Sequence, residues 1–151
     1  ADVISKKNDS SIEFVLIGGP EKMGRRLSRK YPFVKFLGYM NEEDLILEVA
    51  TWAFFLNLTF YYSRGVSTKL AKALSLGLPI ISTTAGNRGY TWRKGHLLTA
   101  DSPKSVYKLI KEHAFDLNKV LQAQQQSKEI VESSPSFTSV MDSIYPLIER
   151  E

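Results

Sequence analysis

Gly65-Val66-Ser67-Thr68-Lys69-Leu70-Ala71-Lys72-Ala73-Leu74-Ser75-Leu76-Gly77-Leu78-Pro79-Ile80-Ile81-Ser82-Thr83 places a loop, a helix and a strand in one run. A hydroxyl at Ser67 or Thr68 can accept a hydrogen bond from a free N–H of the helix start, so either serves as N-cap. The helix reads from Lys69 to Leu76 and stops at Gly77, a residue suited to helix ends. Pro79 to Thr83 is apolar enough for a strand buried on both faces. Proline is tolerated at its first residue, where no ladder donor is lost.

Outward from this run, short apolar segments alternate with helical patterns, the signature of β-α-β units and a parallel sheet. Toward the N-terminus, Trp52 to Leu58 reads as a buried central strand, and Asn41 as the N-cap of a helix running to about Ala50. Glu42, Glu43 and Asp44 fall in its first turn, where the helix dipole favours acids. Phe33 to Leu37 and Glu13 to Ile17 are two further strands. A polar, Arg-rich surface helix from Glu21 to Tyr31 lies between them, with Pro20 at its start. Toward the C-terminus come a short strand His96 to Thr99 and a helix opened by Ser102-Pro103 and running to about His113. A Gln-rich helix over 116–132 and a last helix from Ser136 to about Ile148 complete the pattern. The expected fold is an open, doubly wound α/β sheet with helices on both faces. Ala1 to Asn8 reads as the tail of a helix, so the natural polypeptide is expected to extend before Ala1 and to carry a leading strand there.

The 151 residues suit a single domain, 1–151, whose residues 114–151 are C-terminal helices. The absence of cysteine excludes disulfides, thiolate-bound zinc or iron and thiol catalysis. No apolar run reaches the ~20 residues of a membrane helix, and the opening residues are no signal peptide. The net charge is +4, and its placement is uneven. Residues 51–100 hold six bases (Arg64, Lys69, Lys72, Arg88, Arg93 and Lys94) and no acid, which would give that part of the fold a positive field.

Ligands of open α/β sheets bind beyond the carboxyl ends of the strands. Three glycine turns fall there. Gly18-Gly19-Pro20 is not a Gly-x-Gly-x-x-Gly fingerprint, which argues against a nicotinamide or flavin dinucleotide. Gly38-Tyr39 follows the next strand. Arg64-Gly65-Val66-Ser67-Thr68-Lys69 leads into a helix whose first N–H groups and dipole suit an anion. Lys69 and Lys72 oppose that dipole, a cost that a bound phosphate would offset.

Phe14-Val15-Leu16-Ile17-Gly18-Gly19-Pro20, then Val34-Lys35-Phe36-Leu37-Gly38-Tyr39, then Gly65 to Thr83 and Gly86-Asn87-Arg88-Gly89, occur in that order. The series resembles the C-terminal, nucleotide-sugar-binding half of GT-B glycosyltransferases of the retaining group 1 family, most specifically in Ala73-Leu74-Ser75-Leu76-Gly77-Leu78-Pro79-Ile80-Ile81. The motif-bearing part spans about Ile12 to His113. The resemblance implies a Rossmann-like donor domain of a two-domain transferase in polysaccharide or glycoconjugate biosynthesis, whose acceptor domain lies outside this chain. It implies cytoplasmic work, with peripheral association at the inner membrane face through the absent half. The nucleotide-sugar would be substrate, with no cofactor or metal in this domain and no nucleic-acid partner. Gly18, Gly19, Gly38, Tyr39, Arg64, Gly65, Val66, Ser67, Thr68, Lys69 and Lys72 would border the donor. The Gly38-Tyr39-Met40 turn would face the base, and the Gly65–Thr68 backbone the diphosphate and sugar.

The sequence departs from the family in two respects: the basic pair that the family carries after its leading strand is expected to lie before Ala1, and the family's paired carboxylates are replaced. The two glutamates that the family spaces as Glu-x7-Glu fall on Arg64 and Lys72, and no Glu lies between Glu48 and Glu112. A carboxylate accepts hydrogen bonds from ribose hydroxyls, whereas lysine only donates. No catalytic residue is therefore named, and the chain alone is expected to be inactive. A noncatalytic glycosyltransferase-like domain serving assembly or anion binding is the alternative. Elsewhere, His96 and His113 lack the neighbours of a metal or triad site, and Asn57-Leu58-Thr59 is a chance sequon on a buried strand. Tyr61-Tyr62 reads chiefly as core cover and otherwise as a stacking platform. Trp92-Arg93-Lys94-Gly95 reads as an exposed basic-aromatic loop.

Overall fold

A computed structural model of the chain describes residues 1–7, 9–61, 64–136 and 138–142. Its elements, in chain order, are α1 (Asp2–Lys7), β1 (Phe14–Ile17), α2 (Glu21–Lys30), β2 (Val34–Gly38), α3 (Glu42–Val49), β3 (Phe55–Asn57), α4 (Thr68–Ser75), β4 (Ile80–Ser82), β5 (Leu98–Thr99), α5 (Pro103–His113) and α6 (Leu117–Ser133). Residues 138–142 are helical; the rest of the expected last helix lies outside the described residues, apart from Ser136.

Every strand pairing is parallel, and the fold is the Rossmann-like α/β architecture that the alternation of elements predicts. The single expected sheet is divided in two, with β1 beside β2 and the order β3-β4-β5 in the other. Packing still joins them, because Phe14 of β1 and Leu56 of β3 border one apolar cluster.

Successive residues of a strand point to opposite faces, and β4 shows the consequence. Ile80 packs with Val49, Leu70, Leu74 and Ile130, while Ile81 packs with Ile4, Ile12, Val106 and Ile110. Both isoleucines are buried, so β4 has a core on each side, as a doubly wound sheet requires. The helices reach those cores by regular spacing: α4 buries Leu70, Ala73 and Leu74, and α5 buries Val106 and Ile110. Each fully buried Leu or Ile stabilises the fold by about 1.5–3 kcal/mol.

The strands are shorter than the apolar runs suggest. Pro79 cannot donate to a ladder, so it only accepts from the Phe55 N–H at 2.8 Å, and regular pairing begins one residue later. Trp52 stays outside β3, its Nε1 donating to Glu48 Oε1 at 3.1 Å, and its ring covers the core of α4 and α6. The helix starts follow the sequence closely. Asn41 caps α3 by accepting from the Asp44 N–H at 2.8 Å, and Ser102 caps α5 in a reciprocal box with Ser105, Pro103 following it. α2 packs its small Gly24 on the Phe36 ring, where a Cβ would approach to 2.3 Å.

The link between α1 and β1 is anchored to α5. Asp9 accepts from Ser11 Oγ at 2.5 Å and Tyr107 Oη at 2.8 Å, and Lys111 Nζ lies at 3.2 Å. The Ser11 hydroxyl, then Tyr107, hold the Asp9 carboxyl far below the ordinary carboxylate range. A depressed folded pKa means that the unfolded chain binds more protons near pH 4. Asp9 therefore contributes stability at neutral pH, and this is lost as pH falls past the unfolded value of about 3.9. Asp9→Asn is expected to lower the melting temperature at pH 7 and to narrow its gap to the parent as pH drops from 5 toward 3, measured by circular dichroism.

Candidate functional site

The carboxyl end of β3 carries a buried asparagine. Asn57 Nδ2 donates to Ser82 Oγ at 3.1 Å and to the Gly86 carbonyl at 2.9 Å, and its Oδ1 accepts from Ser67 Oγ at 3.1 Å. One carboxamide thus ties β3 to the end of β4, to the turn after it and to the start of α4. Ser67 in turn accepts from the Leu70 N–H at 3.2 Å and so caps α4. Thr83 adds a second tie, donating to Thr59 O and accepting from the Thr59 and Gly86 N–H groups. Gly86 is required here because a Cβ would lie 2.4 Å from the Asn57 carbonyl oxygen. The sequon at Asn57 is closed by this burial, since every polar atom of the amide is engaged.

The turn into α4 has a matching brace. Gly65 adopts φ +73°, which glycine takes without the strain other residues meet. Arg88, from the segment after β4, donates through Nη2 to the Gly65 carbonyl and through Nη1 to the Ala85 carbonyl at 3.4 Å. Tyr90 Oη donates to the Ser67 carbonyl at 2.7 Å. With Leu70 capped, the N–H groups of Thr68 and Lys69 meet no acceptor among the described residues and lie at the positive end of the helix dipole, an arrangement suited to an anion.

These elements enclose a polar cleft of about 370 Å³ at the strand ends. Its walls include Asn57, Thr59, Arg64, Ser67, Thr68, Lys69, Gly86 and Arg88, with Val66 and Ala85. Among the described residues, Arg64, Lys69 and Arg88 bring three cations to it, and no carboxylate lines it. Three positive groups with no acid between them repel one another, and a multiply charged anion relieves that repulsion.

The expected site residues divide. Arg64, Val66, Ser67, Thr68 and Lys69 line the cleft, with Gly65 held beside them by Arg88. Lys72 does not line it. Its Nζ pairs with Glu42 Oε1 of α3 at 2.5 Å, and that contact holds the Glu42 carboxyl below its usual range. Gly18, Gly19, Gly38 and Tyr39 form a separate group: the Gly18 N–H donates to the Gly38 carbonyl at 2.6 Å, setting the two turns side by side. Tyr39 beside them is 91% exposed. Glu42 links that group to α4 through Lys72. Asn57, Thr59, Ala85, Gly86 and Arg88 line the cleft and are missing from the expected set; Arg88 is the charged one, it lies in the Gly86–Gly89 motif, and the acid-free stretch was the signal for it.

The aromatic candidates exchange roles. Tyr61 is 78% exposed rather than core cover, and Tyr62 lies outside the described residues. Trp92 stacks on Tyr90 at 5.2 Å and packs against the core, so it is structural and does not grip an anion. His113 Nδ1 sits 3.0 Å from the Leu109 carbonyl, and His96 is exposed away from the cleft. Among the described residues no cluster of three His, Asp or Glu stands ready to hold a metal, and no helix is long and apolar enough to cross a membrane.

The family model described as glycosyl transferases group 1 matches residues 1–114. The chain belongs to this family. No curated protein sequence matches it. The match contains the whole cleft and the turns of β1 and β2, and ends at the close of α5.

Asn57→Ala removes the partner of a buried Gly86 carbonyl and of the cap Ser67, each worth about 1–3 kcal/mol when left unsatisfied. Equilibrium urea denaturation is expected to show a loss of about that size. Asn57→Asp is expected to fare no better, because a carboxylate cannot donate to the Gly86 carbonyl.

Proposed function

We propose that this member of the group 1 glycosyltransferases is the donor-binding half of an enzyme that moves a sugar from a nucleotide-sugar to an acceptor with retention. The cleft at the start of α4 receives the donor's diphosphate. The observation that carries the reading is the convergence, among the described residues, of Arg64, Lys69 and Arg88 with the unpartnered N–H groups of Thr68 and Lys69, and no carboxylate, in one cleft. The departing nucleoside diphosphate gains negative charge as the sugar–phosphate bond breaks. Preoriented N–H groups and cations stabilise that charge without reorganising. Arg88 holds Gly65 in its left-handed turn and so keeps the cradle in shape before the donor arrives.

The ribose needs an acceptor for its vicinal hydroxyls, and Lys72 offers none. Glu42 does. Its carboxylate is drawn to Lys72, one helical turn along α4 from Thr68, and lies three residues after Tyr39 of the turn assigned to the base. In this reading Lys72 keeps the position of the family's second glutamate and presents a carboxylate borrowed from α3.

One observation favours a second reading. Arg64 stands at the position of the family's first glutamate and no carboxylate replaces it in the cleft. A glycosyltransferase-like domain retained for assembly or for binding another anion has no need of that acid.

Thermal-shift titration of the chain with UDP, GDP, ADP and inorganic phosphate separates the two. A ligand that binds only the folded form adds about 2.7 kcal/mol of stability at a hundredfold excess over its Kd. The donor reading expects one nucleoside diphosphate to raise the melting temperature at concentrations where phosphate does nothing. Lys69→Ala and Arg88→Ala should each raise the Kd read from that shift about tenfold, as loss of one charge-assisted contact does. Glu42→Gln should weaken the nucleoside diphosphate and leave phosphate unchanged. Equal shifts for phosphate and every nucleotide would favour the second reading, and insensitivity to both cleft variants would overturn the cleft assignment.

A further inference from the structure

α2 presents a face that neither the fold nor the cleft uses. Its inner side, through Gly24 and Leu27, is spent on β2, where Gly24 meets Phe36. Its outer side carries Lys22, Arg25, Arg26, Arg29 and Lys30, whose stems line one shallow concavity. Only two of the five have an acidic neighbour: Arg25 is paired with Glu21 at 2.6 Å, and Lys30 lies 4.0 Å from Asp2. Among the described residues, Lys22, Arg26 and Arg29 have no acid within ion-pair distance. Lys22 and Arg26, Arg25 and Arg29, and Arg26 and Lys30 each stand four apart, so like charges face each other along the helix. Lys22 also opposes the dipole at the helix start. Arg29 and Lys30 in the last turn suit the dipole, but the like charges four apart still repel, and a surface of opposite charge relieves that repulsion.

We propose that α2 is a docking face for a bilayer surface bearing anionic lipid headgroups. A flat array of phosphates matches five cations spread over about 12 Å of one exposed helix face. Met23, 60% exposed at the edge of that face, supplies an apolar contact with the interfacial layer. A nucleic-acid strand fits less well, because the aromatic ring against these cations, Tyr31 beneath Lys30 at 4.8 Å, is buried and cannot stack on a base. The apolar side of α2 is already buried, so the contact is adsorption by charge and not insertion of the helix. It lies on residues that share nothing with the cleft, so it stands or falls apart from the donor site. It also gives this half of the enzyme its own hold on a membrane.

The test is co-sedimentation of the 151-residue chain with vesicles of phosphatidylcholine alone or with about 30 mol% phosphatidylglycerol, where each cation adds to binding through the surface potential. The chain should pellet with the anionic vesicles and stay in solution with the neutral ones. Binding should fall at least tenfold between about 50 and 300 mM salt, as screening shortens the reach of the charges. The triple variant Lys22→Gln/Arg26→Gln/Arg29→Gln should lose binding at least tenfold while melting at or above the parent's temperature, since it removes repulsion and no packing. The variant also keeps the UDP, GDP or ADP response of the parent. Binding to neutral vesicles as strong as to anionic ones, or full vesicle binding by the triple variant, would overturn the proposal. So would tighter binding to a single-stranded oligonucleotide than to anionic vesicles at the same salt.

Discussion

The carboxamide of Asn57 is the point on which the functional half of this fold depends. It is buried at the end of β3 and joins three segments that are distant in sequence: the cap of α4, the end of β4 and the turn at Gly86. Only a side chain that both donates and accepts can make those contacts together. The contacts place the first N–H groups of α4 over the strand ends, where anions bind in open α/β sheets. Gly86 completes the arrangement by being small enough to approach the Asn57 backbone. The cleft is thus a consequence of backbone placement, and its side chains supply charge to a cradle already formed.

Charge then decides what the cleft accepts. The stretch from residue 51 to 100 contains no acid, and the fold brings three of its six bases to one cavity. The others take different work. Lys72 turns to Glu42 and links the turn of β2 to α4, while Arg93 and Lys94 follow the stacked Tyr90-Trp92 pair at the edge of the core. A positive field inferred from composition was therefore correct in sign and twice too generous in membership. Pairing consumes cations, and a count of charges in a sequence does not see pairing.

The hydrophobic architecture shows the same division between pattern and placement. The alternation of apolar runs and helices was sufficient for the parallel α/β fold, the caps at Asn41 and Ser102, and the double burial of β4, while the choice of Ser67 over Thr68 as the cap of α4 was left to the structure. These follow from local rules with short reach: a hydroxyl or amide next to free N–H groups, and a two-residue repeat along a strand. Strand length was less legible. Trp52 and Pro79 are apolar and sit beside strands, yet the first has an indole N–H to satisfy and the second has no N–H to offer, so neither enters the ladder. The break between the β1-β2 and β3-β4-β5 ladders is likewise invisible to periodicity, because both sides of it are equally apolar.

By itself, the sequence determined the fold class, the order of the elements, the family and the positive charge of the turn at Gly65–Lys69. Each rests on neighbours within a few residues or on motifs kept in linear order. Tertiary structure alone decided that Arg88 belongs to the cleft and Lys72 does not, and that Glu42 stands beside α4. It also decided that Tyr61 is exposed while Trp92 is packed. Those outcomes depend on contacts across 23 to 30 residues of chain, such as Arg88 with Gly65 and Lys72 with Glu42. Charged side chains are long and their pairing is set by which backbone segments meet, a quantity that no local pattern carries.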